Sequence, residues 1–300
     1  MKALVTGAHG FAGRYLVRHL REMGDDVVEL DRGGEHGVDV VDRAGVHTVI
    51  DAHRPDVVYH LAAFTHVGES WSVPTEVLRV NVEGTANVLD AARAADVGRV
   101  VVIGSAEEYG RAGPDGSLSE DTPVQPTSPY AASKAAASLL ALQAHLGAGL
   151  DTVRVRPFNH TGPGQPPKFL VPALAHRIAA AERDAVDDIA VGSLDPVRDL
   201  SDVRDVVRAY RLLAEHGTAG EVYNVCSGQG VTVRDVAEQL VGLATRPLRL
   251  TVDPALVRPV DVPRLVGDGT RLRAATGWEP AYSLAETLRD VLDAARAALS

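Results

Sequence analysis

Cysteine is almost absent from this chain. Cys226 stands alone among 300 residues, so there is no disulfide framework, and a reducing, cytoplasmic setting is expected. It closes the apolar run Val222–Cys226, which reads as a buried strand rather than a reactive-thiol site. No stretch approaches the ~18 consecutive apolar residues of a membrane span, and no secretory leader is expected. Basic runs are missing too, and the net charge is −10; a phosphate-backbone partner is therefore not expected, because nucleic acids reward clustered Lys and Arg. Eleven histidines are present, but none has a ligand spacing such as HxxxH with a carboxylate, and no metal site is expected. Repeats and low-complexity tracts are absent as well. What is present is apolar mass, 45% of residues, enough for a full core in one large or two smaller domains.

The apolar segments alternate with helical patterns. Lys2–Thr6 is a short apolar run, followed by Gly7-Ala-His-Gly10-Phe-Ala-Gly13 and an amphipathic stretch to about Met23. A second run, Val27–Leu30, ends at Asp31. Strand, glycine turn, helix, strand and acid in this order begin a dinucleotide-binding unit. The glycines permit a tight turn and close backbone approach, so that the helix N-terminus can hold a pyrophosphate. Gly7, His9, Gly10, Phe11, Ala12 and Gly13 are the candidate cofactor residues here. The glycine spacing is GxxGxxG rather than GxGxxG. Asp31 lies near the ~20-residue offset at which an acid meets the adenosine ribose, whereas Arg32 beside it suits a 2′-phosphate; NAD and NADP both stay open. Asp39 and Val40 are candidates for the adenine, with a plain surface turn as the alternative. Further strands are predicted at Asp56–His60, Arg99–Gly104 and Asp151–Val155, and helices at about Pro74–Ala95 and from Tyr130 to about Leu146. Arg111–Thr127, rich in Gly, Pro, Ser and Asp, reads as a loop. Such alternation predicts an α/β fold of Rossmann type, a doubly wound parallel sheet. Residues 1–156 are expected to form the dinucleotide domain. Residues 157–300, which open on a long irregular connection and a helix at about Phe169–Ala181, are expected to form mainly a smaller substrate lobe, with segments exchanging between the two. Pro254–Gly269 reads as irregular.

In a parallel sheet, ligands bind beyond the carboxyl ends of the strands. Leu61, Ala62 and Ala63 stand at one such end, and Ser105, Ala106 and Glu107 at another. Tyr130 and Lys134, four apart, share a helix face, and Ser128 and Pro129 suit its N-cap and first turn. An ammonium beside a phenol favours the phenolate and lowers its pKa, so the pair can exchange a proton with a carbonyl or an alcohol. Ser105 can hydrogen-bond the same substrate oxygen. A YxxxK pattern alone arises in many helices; glycine turn, Ser105 and Tyr130/Lys134 in this order are far more specific. Thr65, His66 and Ser70 are further candidates to line a sugar pocket. For Arg204 and Arg208 a solvated surface role is expected.

These motifs resemble the extended short-chain dehydrogenase/reductase family of nucleotide-sugar enzymes. The likeness runs nearly end to end, through Asn81-Val-Glu-Gly-Thr85 to Thr276-Gly-Trp278-Glu-Pro280. It is greatest to the GDP-4-keto-6-deoxy-mannose reductases, in Gly104-Ser-Ala-Glu-Glu-Tyr-Gly110, Phe158-Asn-His-Thr-Gly-Pro-Gly-Gln165, the segment from Val197 to Asp205, Tyr223-Asn-Val-Cys-Ser-Gly228 and Arg258-Pro-Val-Asp-Val262. The resemblance implies a catalytic triad of Ser105, Tyr130 and Lys134, with Glu107 as a further catalytic candidate. It also implies that Asn159, Arg198 and Arg258 reach the nucleotide diphosphate, with Asp261 near its ribose; Lys168 is a further substrate-binding candidate. Related 4,6-dehydratases carry an acid–glutamate pair after the catalytic hydroxyl; Ala106-Glu107 stands here, and Ala106 cannot protonate a leaving C6 hydroxyl. The expectation is therefore a 4-ketoreductase of a nucleotide-linked 6-deoxysugar, with guanine as the expected base, using NADP(H) or NAD(H), and homodimeric through the Asn81 and Tyr130 helices. A redox-neutral 4-epimerase with tightly held NAD is the alternative; a dehydratase and a non-catalytic dinucleotide sensor rank lower.

Overall fold

The computed structural model describes every residue except 35, 111–115, 257–261 and 300. Strand β1 (Lys2–Thr6) enters helix α1 (Phe11–Glu22), followed by β2 (Asp26–Asp31), the short β3 (His36–Gly37), α2 (Arg43–His53) and β4 (Val57–His60). Next come α3 (Val67–Ser70), α4 (Pro74–Leu78), α5 (Gly84–Ala94), β5 (Arg99–Ile103), α6 (Pro129–Ala148) and β6 (Thr152–Pro157). The remainder comprises β7 (Asn159–Thr161), α7 (Leu170–Asp184), β8 (Asp188–Val191), β9 (Val197–Asp202), α8 (Val203–His216), β10 (Val222–Val225), β11 (Gly230–Thr232), α9 (Val233–Gly242), β12 (Arg249–Val252), β13 (Arg264–Leu265), α10 (Thr270–Thr276) and α11 (Leu284–Leu299).

Seven strands form a parallel sheet in the order β10-β6-β5-β4-β1-β2-β3. Central strands such as Val57–His60 are buried on both faces, which is why they read as continuous apolar runs rather than alternating ones. Helices α1 and α8, with Leu16, Leu20, Tyr210 and Leu213, and Trp278 pack on one face. Helices α2, α5 and α6 cover the other with Val46, Ile50, Val88 and Ala141. Burying each large apolar side chain contributes about 1.5–3 kcal/mol. A separate core beyond the sheet joins α7, α9 and α11 to β8 and β9 through Leu174, Ile178, Leu240 and Leu292. Strand β10 and helices α8 and α10, all past residue 156, return to the large sheet. Cys226 is fully buried at the end of β10.

Local departures from expectation have physical causes. The helix expected over Pro74–Ala95 contains a π turn at Arg79–Glu83, a distortion that frequently marks functional sites. The irregular connections contain very short strands: β7 pairs with β9 at Leu200–Asp202, and β13 pairs with β9 at Val197–Arg198. Segments of two or three residues have no periodicity to read. Helix α2, not anticipated, is capped by Asp42, whose carboxylate accepts the Gly45 N–H at 3.1 Å. Arg204 and Arg208 are not free surface cations: Arg204 pairs with Asp202 and Asp290, and Arg208 with Asp205.

Helices α7 and α11 are clasped by Arg296, which donates to both oxygens of Glu182 at 2.9 and 2.8 Å. The pair lowers the Glu182 carboxyl to about 2 from an ordinary 4.5. Because the folded value lies below the unfolded one, the stabilisation is complete above pH 4.5 and is lost as pH falls towards 2. Glu182→Gln is expected to cost about 1–2 kcal/mol at pH 7, a figure discounted for partial exposure. It should also flatten the acid limb of chemical-denaturation stability between pH 4.5 and 2; an unchanged acid limb would contradict the assignment.

Candidate active site

Beyond the carboxyl ends of the sheet strands lies a cleft of about 1010 Å³ between the sheet and the second core. Its near wall is the glycine turn. Gly7 has φ +70°, and a Cβ there would lie 2.7 Å from the Ala62 nitrogen. A Cβ on Gly13 would come within 2.1 Å of the Gly7 carbonyl. Both positions therefore require glycine if α1 is to start this close to β1. Gly10 caps α1 with no side-chain hydrogen bond, so the first-turn amides open on the cleft with the positive end of the helix dipole behind them. That cradle fits a dinucleotide pyrophosphate.

Asp31, at the end of β2, accepts the His9 N–H at 2.9 Å and the Arg32 N–H at 2.7 Å. Its carboxylate thus ties the glycine turn to the next strand and still faces the cleft. Arg32 is exposed beside it. Asp39 turns the chain by accepting the Val41 N–H at 3.1 Å, and the buried Val40 carbonyl accepts from Asn87 at 2.9 Å. Gly7, His9, Gly10, Phe11, Ala12, Gly13, Asp31, Arg32, Asp39, Val40, Leu61, Ala62 and Ala63 all line this cleft.

Deeper in lie Ser105, Tyr130 and Lys134, each at most 8% exposed. The cap anticipated for the Tyr130 helix is present: Ser128 Oγ accepts the Ala131 N–H at 3.1 Å and Pro129 opens the first turn. Ser105 Oγ accepts the Glu107 N–H at 3.2 Å. The effect of Lys134 on the phenol differs from the expectation. Lys134 donates to the Ile103 carbonyl at 2.6 Å, and burial drives Tyr130 upward, opposed by Ser105 and reinforced by the Glu107 and Glu108 charges. Burial also brings Lys134 down to about 8, with Glu108 opposing the fall. The phenol accordingly retains its proton at neutral pH.

Behind this group runs a buried relay. Asn81, on the π turn, accepts the Phe64 N–H at 2.7 Å and donates to Ser133 at 2.8 Å, and Ser133 donates to the Tyr130 carbonyl at 2.6 Å. Thr85 donates to the Asn81 carbonyl at 2.6 Å, and Ala62 N–H donates to Thr6 at 3.1 Å. The remaining lone pairs and protons make His60 donate from Nε2 to Thr85 and accept from Thr6 at Nδ1. Burial and the nearby Lys134 ammonium lower His60 to about 3, which keeps it neutral in that tautomer. The extra backbone of the π turn aims Asn81 at both the 62–64 segment and the Tyr130 helix.

The outer wall carries Thr65, His66, Ala106, Glu107, Asn159, Lys168 and Arg198. His66 accepts the Glu69 N–H at 3.0 Å, Lys168 lies 3.7 Å from Glu69, and Arg198 donates to the Val262 carbonyl at 2.8 Å. Ser70 is a correction: it is fully buried, gives its hydroxyl to the Val67 carbonyl at 2.6 Å and does not line the cleft. Arg258 and Asp261 lie outside the described residues. Arg177, on α7, lines the cleft and was not anticipated; an arginine on an amphipathic helix looks like surface until the lobe is folded over the sheet.

Residues 3–226 match the NAD dependent epimerase/dehydratase family. The chain belongs to that family. It is 35% identical over 97% of its length to a GDP-6-deoxy-D-mannose reductase of Pseudomonas aeruginosa, covering 96% of that protein. It is 33% identical to a dTDP-glucose 4,6-dehydratase of Streptomyces niveus, over 98% of this chain and 92% of that one. RMD from Pseudomonas aeruginosa complexed with NADPH superimposes with a TM-score of 0.90 at 34% identity, over 99% of this chain and 100% of that one. Thermus thermophilus UDP-glucose 4-epimerase complexed with NAD gives 0.90 at 31%, over the same shares. The chain is thus an enzyme of extended short-chain dehydrogenase/reductase type, and its cofactor is NAD or NADP, which the uncapped α1 terminus and glycine cradle fit. Among the described residues no group of three or more His, Cys, Asp or Glu could hold a metal ion, and no helix is long and apolar enough to cross a membrane.

Proposed function

We propose that this enzyme reduces the C4 ketone of a GDP-linked 4-keto-6-deoxyhexose. The observation that carries the reading is the buried group of Ser105, Tyr130 and Lys134 lining the cleft, with Ala106 directly after Ser105. A ketoreductase begins with its acid protonated, and a dehydratase needs a proton donor where Ala106 has none. The likeness to GDP-6-deoxy-D-mannose reductase over nearly all of both chains supports the same choice.

When bound, the nicotinamide supplies hydride. Ser105 donates a hydrogen bond to the ketone oxygen and orients it. Tyr130 gives its proton to the alkoxide formed at C4. Lys134 holds the nicotinamide ribose and supplies positive charge next to the resulting phenolate. Asn159, Lys168 and Arg198, with Arg258, grip the diphosphate, for which arginine forks are suited, and Asp261 meets its ribose. Thr65, His66 and Glu107 bound the sugar. Helices α5 and α6 form the dimer face, α6 exposing Leu139 and Leu146 at 63% and 74%; light scattering is expected to return twice the chain mass.

Purified protein given NADPH and GDP-4-keto-6-deoxymannose should consume the reduced cofactor stoichiometrically with ketone, and GDP should raise the melting temperature more than UDP, dTDP or CDP. A second reading, a redox-neutral 4-epimerase, is favoured by one observation: the Asp31 carboxylate faces the cleft where a 2′-phosphate would be repelled. Tightly retained NAD with no net oxidation of added cofactor would select it.

A further inference from the structure

Ser105 is anchored by a buried ion pair that the scheme above does not use. Glu108, wholly buried, accepts the Ser105 N–H on one oxygen at 2.9 Å and Arg156 Nε on the other at 2.8 Å. Gly104 has to be glycine for this: a Cβ there would lie 2.2 Å from the Glu108 carboxylate. Arg156, 5% exposed, also donates to the Tyr109 hydroxyl at 3.1 Å, and Tyr109 donates to Asn224 at 2.6 Å. As a device for stability alone such a pair is poor, since an apolar pair of similar volume serves as well or better. Its position three residues after Ser105, and five after the Ile103 carbonyl that holds Lys134, gives it another use.

We propose that Glu108 is a positioning residue of the proton-transfer site, fixing the Ser105 backbone so that its hydroxyl meets Tyr130, and placing a buried negative charge against which the Lys134 ammonium is held. The inference rests on the proton-transfer reading of Ser105, Tyr130 and Lys134. Both Glu108 oxygens accept from N–H donors, which selects the ionised form although burial pushes the carboxyl upward. Lys134 is faced by the Ile103 carbonyl from β5, by the neutral His60 from β4, by Glu108 from the turn after β5 and by Tyr130 on its own helix. Glu108 is the charged group in that set, and it opposes the loss of the lysine proton.

The chain has three lysines, Lys2, Lys134 and Lys168, so lysine side-chain NMR on labelled protein follows Lys134 directly, without cofactor or substrate. In wild type it is expected to lose its proton near pH 8. In Glu108→Gln the ammonium loses its counter-charge, and the midpoint should fall by about one pH unit, a tenfold shift in the equilibrium. Because that variant leaves Arg156 unpaired and can fail to fold, a Glu108→Leu, Arg156→Met double variant removes both charges together and should show a fall in the same direction. Glu108→Asp keeps the charge and should restore a near-wild-type midpoint. In turnover, the basic limb of the kcat profile should move to lower pH in Glu108→Gln with KM changed less than twofold. An unchanged Lys134 midpoint in a folded Glu108→Gln or double variant would overturn the proposal. A Lys134 midpoint that responds as expected in a protein inert towards every ketose would instead fault the functional reading alone.

Discussion

Tyr130→Phe is expected to lower ketone reduction by about 10³-fold, within the 10²–10⁴-fold that a positioned proton donor contributes. The substitution removes one oxygen from a side chain that is 8% exposed and leaves the ring packing intact. Ser128 still caps the helix, and Lys134 still reaches the Ile103 carbonyl, so the melting temperature should barely move. Dinucleotide affinity should also remain within a few-fold, because the glycine turn and Asp31 are untouched. Loss of turnover with retained cofactor binding, read by stopped-flow and by quenching of protein fluorescence, is the pattern that separates a proton donor from a scaffold residue. Turnover within tenfold of wild type would remove Tyr130 from the chemistry.

The second large effect is steric. In Gly13→Ala the new methyl would stand 2.1 Å from the Gly7 carbonyl and 2.8 Å from the Ala8 carbonyl. Neither backbone oxygen can swing aside as a flexible side chain would, so α1 must withdraw from the turn. Its uncapped first-turn amides move with it, and the anion cradle opens. Dinucleotide affinity is expected to fall on the order of 100-fold, about 2.8 kcal/mol, and the melting temperature with it. Gly242→Ala, at the end of α9 with open space around the added methyl, is the control: it should leave affinity unchanged. Equal affinity in Gly13→Ala and wild type, by fluorescence titration, would contradict this account of the turn.

The parts of the molecule legible in the sequence are those written in local patterns. Lys2–Thr6, the glycine turn, Asp31 and the capped Tyr130 helix each declare themselves within a few residues, and strand ends predict where the candidate residues gather. Ser70 failed because exposure was inferred from proximity to the Ala62–Ala63 turn; the short α3 folds its hydroxyl inward. The proton affinity of Tyr130 failed for a different reason. A lysine one helical turn away suggests a direct partner, yet its ammonium goes to Ile103 on another element, and burial dominates what remains. The Glu108–Arg156 pair and the Asn81 relay were invisible because their partners are 48 and 52 residues apart, and no periodicity encodes such pairings. Arg177 joins the cleft only through the way the second core covers the sheet.

The central claim is that this cleft delivers hydride to a sugar C4 and a proton from Tyr130 to its oxygen. NADPH carrying deuterium at the transferable C4 position of the nicotinamide, incubated with GDP-4-keto-6-deoxymannose, tests it most directly. The account predicts one deuterium at sugar C4 in the product by NMR, with one equivalent of cofactor oxidised. A product without deuterium at C4, or an unconsumed cofactor beside a protein already holding NAD, would contradict it.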